Sequence, residues 1–165
     1  MFKKNLERFL EAMSSLFFAG LIAVVLLQVF ARMFLPRSPH WTEEASRFLM
    51  LYMVAFAAGL TAKERAYVNV DIFINLIKGR LRAVIQLFID ISVMVLMAVT
   101  VWYGWRNAAI GAIQTSASLG IPMNWIFGAI VLHSGSILLF MTTLVFEDIK
   151  SIVTGEVKYG NATLP

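Results

Sequence analysis

Charged residues are confined to short stretches of the chain, and four long apolar blocks run between them. Ala12–Ala31 and Phe48–Ala62 contain no charged residue, Ala83–Trp105 contains only Asp90, and Asn107–Phe146 contains none. A helix rises about 1.5 Å per residue, so roughly 20 apolar residues cross the ~30 Å hydrocarbon core of a bilayer. Lipid offers no partner to an exposed backbone N–H or C=O, so each block must close its hydrogen bonds within a helix. The pattern predicts an all-α membrane protein with four transmembrane helices, near residues 12–35, 42–62, 83–106 and 124–146, in a single integral membrane domain over 1–165. The third helix is expected to run a turn or two past Arg106 and leave a short loop before Pro122.

The second block is too short unless it begins at Thr42, which gives about 21 residues or ~31 Å. The stretch SPHWTEEASR, residues 38–47, then becomes a helix start in the headgroup layer. Ser38 ahead of Pro39, or Thr42, can cap free N–H groups. Glu43 and Glu44 lie where the helix dipole favours negative charge, and Trp41 suits the interfacial aromatic belt. Two readings stand for Arg37, Trp41, Glu43, Glu44 and Arg47: they anchor a helix end, or they dock a partner.

Between the second and third spans, Val70, Ile72, Phe73, Leu76 and Ile77 share one helical face, away from Asp71, Asn75 and Lys78. This predicts a short amphipathic interfacial helix over about 68–78. The alternative is a tight polar connection running into an early third span.

Composition agrees with the pattern: of 165 residues 59% are hydrophobic and 15% charged, against about 25% charged in soluble domains. With the N-terminus inside, Lys3, Lys4, Arg8, Lys63, Arg65, Lys78, Arg80, Arg82, Lys150 and Lys158 are cytoplasmic, and Arg32, Arg37, Arg47 and Arg106 lie opposite. The positive-inside rule favours that arrangement, with both termini, including the tail 150–165, in the cytoplasm. The net charge of +4 therefore matches anionic lipid headgroups and needs no nucleic acid. Lys63, Arg65, Asp71, Lys78, Arg80 and Arg82 would form the cytoplasmic interface.

The first block is longer than a signal-peptide core and lacks a small-x-small cleavage site. The chain has no cysteine, which removes disulfides and thiolate chemistry. The sequon at Asn161 falls on the predicted cytoplasmic side, and no internal repeat suggests the inverted halves of many transporters.

Intramembrane polar residues are few. Gln28 and His133 lie at similar depth and could hydrogen-bond to each other. Gln86 and Asp90 are four apart on one face, within reach of hydroxyls from Ser14, Ser15 or Thr61. Helix packing and proton or ion transfer are both open for these groups. One intramembrane acid and no Gly/Pro-interrupted span make a poor transport path for this chain alone. HExxH, GxSxG and P-loop motifs are absent, so no enzyme and no cofactor is expected. The remaining cofactor reading, a haem held between His40 and His133, requires His40 to dip into the membrane.

The order Gln28-x-x-x-Arg32, Trp41-Thr-Glu43-Glu44-Ala-x-Arg47, Gly59, Lys63-Glu64-Arg65 and Val68-x-Val70-Asp71 resembles the small membrane subunit, of DctQ type, of TRAP (tripartite ATP-independent periplasmic) transporters. The resemblance covers nearly the whole chain to about residue 150; Tyr67 stands where the family often carries a histidine. It implies a bacterial inner-membrane scaffold subunit paired with a large multi-span membrane subunit. That subunit would use a sodium gradient to import an organic acid, of the sialic acid or C4-dicarboxylate class, delivered by a periplasmic substrate-binding protein. The alternative is a stand-alone structural or assembly protein of the membrane.

Overall fold

A computed structural model of the chain describes residues 2–35, 39–63 and 80–154. The proposed interfacial helix over 68–78, with Asp71 and Lys78, lies outside the described residues, as do Arg37, Arg65 and the end of the tail.

Four helices make up nearly all of the described chain: α1 (Phe2–Phe34), α2 (Trp41–Lys63), α3 (Arg80–Gly111) and α4 (Asn124–Thr154). All four are long and apolar enough to cross a membrane, and the protein is a multi-pass membrane protein. The two prolines among the described residues, Pro39 and Pro122, fall outside every helix, as the missing N–H and ring clash of proline require. We call the side carrying residues 39–41 and 112–123 the loop end, and the opposite side the tail end.

The helices outrun the predicted spans. α1 begins ten residues before position 12 and α4 continues eight beyond position 146. Polar residues near the tail end do not stop a helix whose apolar face still has something to cover. Leu6 and Leu10, one turn apart, pack into a core cluster with Ala62, Ile137, Phe140, Met141 and Leu144. α2 is the shortest at 23 residues, about 34 Å, so its charged first turn lies at the limit of a bilayer core.

The order of contact differs from the order in sequence. Among the described residues, backbones approach closely between α1 and α2, between α2 and α4, and between α4 and α3, and not between α2 and α3 or between α1 and α4. An up-down-up-down bundle would pair α2 with α3 and α4 with α1. Here two antiparallel hairpins, α1–α2 and α3–α4, join along a seam in which α2 and α4 run parallel. The series is open: among the described residues, the backbones of α1 and α3 each come close to one other helix.

Each contact has a local cause. In the α1–α2 hairpin Gly20 lets the Leu49 side chain approach, and Phe17 stacks on Tyr52 and Phe56 at ring-centre separations of 5.4 and 5.5 Å. In the α3–α4 hairpin Gly104 faces Ile130 and Val131, and Gly111 faces the Phe127 ring. Along the seam Gly59 admits Ser136 and Phe140, and the Ser136 hydroxyl, which donates to the His133 carbonyl of its own helix at 2.8 Å, also lies 3.3 Å from the Ala55 carbonyl. Nearer the loop end, the Tyr52 hydroxyl donates to the Trp125 carbonyl. Lipid tails are as apolar as leucine, so helices in a membrane are held by close packing of small residues and by hydrogen bonds. The seam has both.

A Cβ on Gly59 would lie 3.0 Å from the Ser136 Cβ and 3.2 Å from the Phe140 ring, whereas one on Gly135 would meet nothing within 4 Å. Gly59→Ala is therefore expected to destabilise the protein by about 1–3 kcal/mol through overpacking. Gly135→Ala should be neutral or slightly stabilising, by up to about 1 kcal/mol of helix propensity. Thermal unfolding of both variants in detergent checks this.

Candidate interaction site at the loop end

The charged first turn of α2 resolves into two glutamates with different partners. The helix starts at Trp41, so Thr42 is already inside it. Its fully buried hydroxyl donates to the Pro39 carbonyl at 2.8 Å instead of accepting from a free N–H. The expected Thr42 cap is thus corrected: the hydroxyl ties the helix start to the preceding turn. Ser38 lies outside the described residues.

Glu43 points outward and pairs with Arg47 one turn on, at 3.3 Å, with both side chains more than 60% exposed. Glu44, about 100° round the helix, points along the seam. Its Oε2 accepts the backbone N–H groups of Ser118 and Leu119, each at 2.9 Å. Those residues form the tip of the connection between α3 and α4, which folds back on itself. Ser116 N–H donates to Ile121 O at 2.9 Å and Met123 N–H to Gln114 O at 2.8 Å. Gly120 closes the turn at φ +66°, in the left-handed region that glycine enters without penalty. Beside the tip, Trp41, Phe48, Tyr52, Ile121 and Trp125 line an apolar groove of about 690 Å³.

The intramembrane polar residues are arranged differently from expectation. Gln28 and His133 do not meet, because the Gly20–Leu49 contact puts Gln28 level with the start of α2 and the Gly59–Ser136 contact puts His133 level with Phe56. Gln86 Nε2 does donate to Asp90 Oδ1, at 3.2 Å, and Asp90 is fully buried. The expected hydroxyl donors are elsewhere, since neither α1 nor α2 approaches α3. Ser14 bonds the Met53 carbonyl on α2, Thr61 bonds Ala57 of its own helix, and Ser15 is exposed. The antiparallel register set by Gly104 and Gly111 puts Asp90 level with Val145–Asp148 of α4, and Asp148 is also buried. Sequence reasoning missed Asp148 because it follows Glu147 and precedes Lys150, where charge reads as the end of a span.

The two histidines are far apart in depth. His40 is exposed in the turn before α2, and His133 lies nine residues inside α4, about 14 Å along its axis. Arg80 opens α3 with Arg82 in the same turn, and Lys63 closes α2, so all three lie at the tail end.

Residues 21–151 match the family described as "Tripartite ATP-independent periplasmic transporters, DctQ component". The chain belongs to this family. DctQ components are transporter permease subunits, not enzymes. Among similar proteins, the sialic acid TRAP transporter small permease protein SiaQ of Vibrio cholerae serotype O1 is 26% identical over 125 residues, 76% of this chain and 72% of that one. A Haemophilus influenzae protein provisionally named a TRAP transporter small permease protein is 25% identical over 147 residues, 89% of each chain. The sialic acid TRAP transporter permease protein SiaT of H. influenzae is 21% identical over 127 residues, which make up 77% of this chain and 21% of that longer one. The DctQ match takes in α2, α3, most of α4 and all of the loop-end site.

Gln86→Leu should remove the hydrogen bond to a buried carboxylate and destabilise the protein by about 1.5–3 kcal/mol. Glu43→Gln, which loosens a solvent-exposed pair, should change stability by no more than about 0.5 kcal/mol. Chemical or thermal unfolding of the two variants side by side checks the contrast.

Proposed function

We propose that this chain is the scaffold subunit of a bacterial inner-membrane TRAP transporter, a four-helix unit that pairs with a large multi-span permease. The observation that carries this reading is the relationship to SiaT: a segment like this one forms 21% of a protein named as a TRAP permease. In that relative the segment belongs to the same polypeptide as a much larger remainder. In the present protein the equivalent association would be non-covalent.

The helices suit that role. Asp90 is the one charged residue between Arg82 and Arg106, and the central parts of the other helices carry none, so a transport path belongs to the partner. α1 and α3 carry long rows of exposed apolar side chains, among them Leu16, Leu26 and Phe30 on α1 and Phe88, Leu96 and Trp102 on α3. A second helical surface would cover part of them.

In this reading the loop end faces the periplasm and the tail end the cytoplasm, with Arg65, Asp71, Lys78 and the other tail-end charges meeting lipid headgroups. The basic asymmetry of the sequence supports that orientation, and an interfacial helix over 68–78 would lie on the cytoplasmic side. Arg37, Trp41, Glu43 and Arg47 would then face a periplasmic substrate-binding protein. Sialic acid is the substrate class favoured by the names of the relatives, with sodium as the coupling ion.

Co-expression with the large permease of the same system should yield a complex that survives detergent purification, and uptake should be lost when this chain is deleted. Recovery of the permease fully active without this chain would overturn the scaffold role. Reporter fusions near Leu119 should read periplasm and fusions at Lys150 cytoplasm; a periplasmic signal at Lys150 would reverse the orientation.

A further inference from the structure

The connection between α3 and α4 is held in two ways. Its own backbone bonds close the turn from Ser116 to Ile121, and Glu44 ties that closed turn to the start of α2. Two successive N–H groups converging on one carboxylate oxygen form a small anion-binding nest. Bonds to an ionised acceptor are roughly twice as strong as neutral ones. The remaining contacts of the tip with α2, through Leu119 and Ile121 in the apolar groove, have no directional component and would let the tip slide.

The tie joins two surfaces far apart in sequence. On one side stands the exposed Glu43–Arg47 pair, and on the other the exposed face of the tip, including Ala117 and Ser118. With Glu44 in place they form one fixed surface; without it the tip keeps its internal turn but loses its register on α2. The seam farther from the loop end, at Ser136–Ala55 and Gly59–Phe140, does not depend on this bond.

We propose that Glu44 is a positioning residue for docking of the periplasmic binding protein: its carboxylate holds the 116–121 tip in register with Glu43 and Arg47, so that the loop end presents one preorganised surface. This rests on the reading that the loop end faces the periplasm and meets that protein. Glu43 and Arg47 touch the partner, and Glu44 acts through the loop.

The test uses the chain with its large permease in proteoliposomes and titrates substrate-loaded binding protein. For Glu44→Ala the concentration giving half-maximal uptake should rise about tenfold, as when a preorganised contact must be ordered on docking. The maximal rate and the yield of the two-subunit complex should stay within about twofold of wild type. Glu44→Gln, which keeps an acceptor oxygen but loses the charge, should fall between the two. The chain has no cysteine of its own, so a spin label placed on Ala117→Cys of the separately purified chain, before the partners are added, reports the tip alone. Its mobility should increase with Glu44→Ala and not with Glu43→Gln. A lower maximal rate or complex yield with an unchanged half-saturating concentration would reduce Glu44 to a structural residue and overturn the proposal. An unchanged label spectrum would overturn the latch itself. If wild-type uptake does not depend on binding protein, the docking reading fails with it, while the label spectrum still judges the latch.

Discussion

The parallel seam between α2 and α4 is the contact on which the rest of the structure depends. Each hairpin is joined internally by a connection and by antiparallel packing, and among the described residues the seam is where the backbones of the two hairpins come together. In a membrane it cannot rely on the hydrophobic effect, since burying a leucine against a helix or against lipid is nearly equivalent. It is built instead from directional and close contacts at successive depths: Glu44 on the loop tip, Tyr52 on Trp125, Ser136 on Ala55, and Gly59 against Phe140.

Choosing α4 instead of α3 as the neighbour of α2 leaves the series open. α4 becomes the most enclosed helix, with Ala129, Ser134, Phe140 and Met141 all buried, while α1 and α3 turn large apolar side chains outward. A protein that completed itself would close the ring. An open series suits a subunit whose surfaces are covered by a larger partner, and membership of the DctQ family gives that partner its proposed identity. The same seam also brings the α3–α4 connection beside the first turn of α2, which is why adjacent glutamates diverge in role: one faces outward, the other inward.

Much of this was legible in the sequence, because the requirement for backbone satisfaction in lipid writes itself directly into runs free of charge. The four helices and the peculiarity of residues 41–47 follow from that. The seam was not legible, since most of its acceptors and donors are backbone groups, the carbonyls of Ala55 and Trp125 and the N–H groups of Ser118 and Leu119, which any residue type supplies. Gln86 and Asp90 could be paired from their spacing within one helix. Pairing Gln28 with His133 failed because position within a block does not fix depth: the Gly20–Leu49 contact puts Gln28 level with the start of α2, and the Gly59–Ser136 contact puts His133 level with Phe56. Asp148 was hidden by its charged surroundings, and the extra turns of α1 and α4 by the tendency of polarity to mark a membrane boundary where it does not mark a helix end.

Cysteine cross-linking of the full chain in native membranes with short bifunctional reagents tests the helix order most directly. The seam pair Gly59→Cys/Ser136→Cys should cross-link efficiently, as should Gly20→Cys/Leu49→Cys and Gly104→Cys/Val131→Cys within the hairpins. Val54→Cys on α2 with Trp102→Cys on α3, both exposed and at similar depth by the Gly59–Ser136 and Gly104–Val131 contacts, should not. Efficient α2–α3 cross-linking together with failure of the Gly59/Ser136 pair would contradict the parallel seam and the open series built on it.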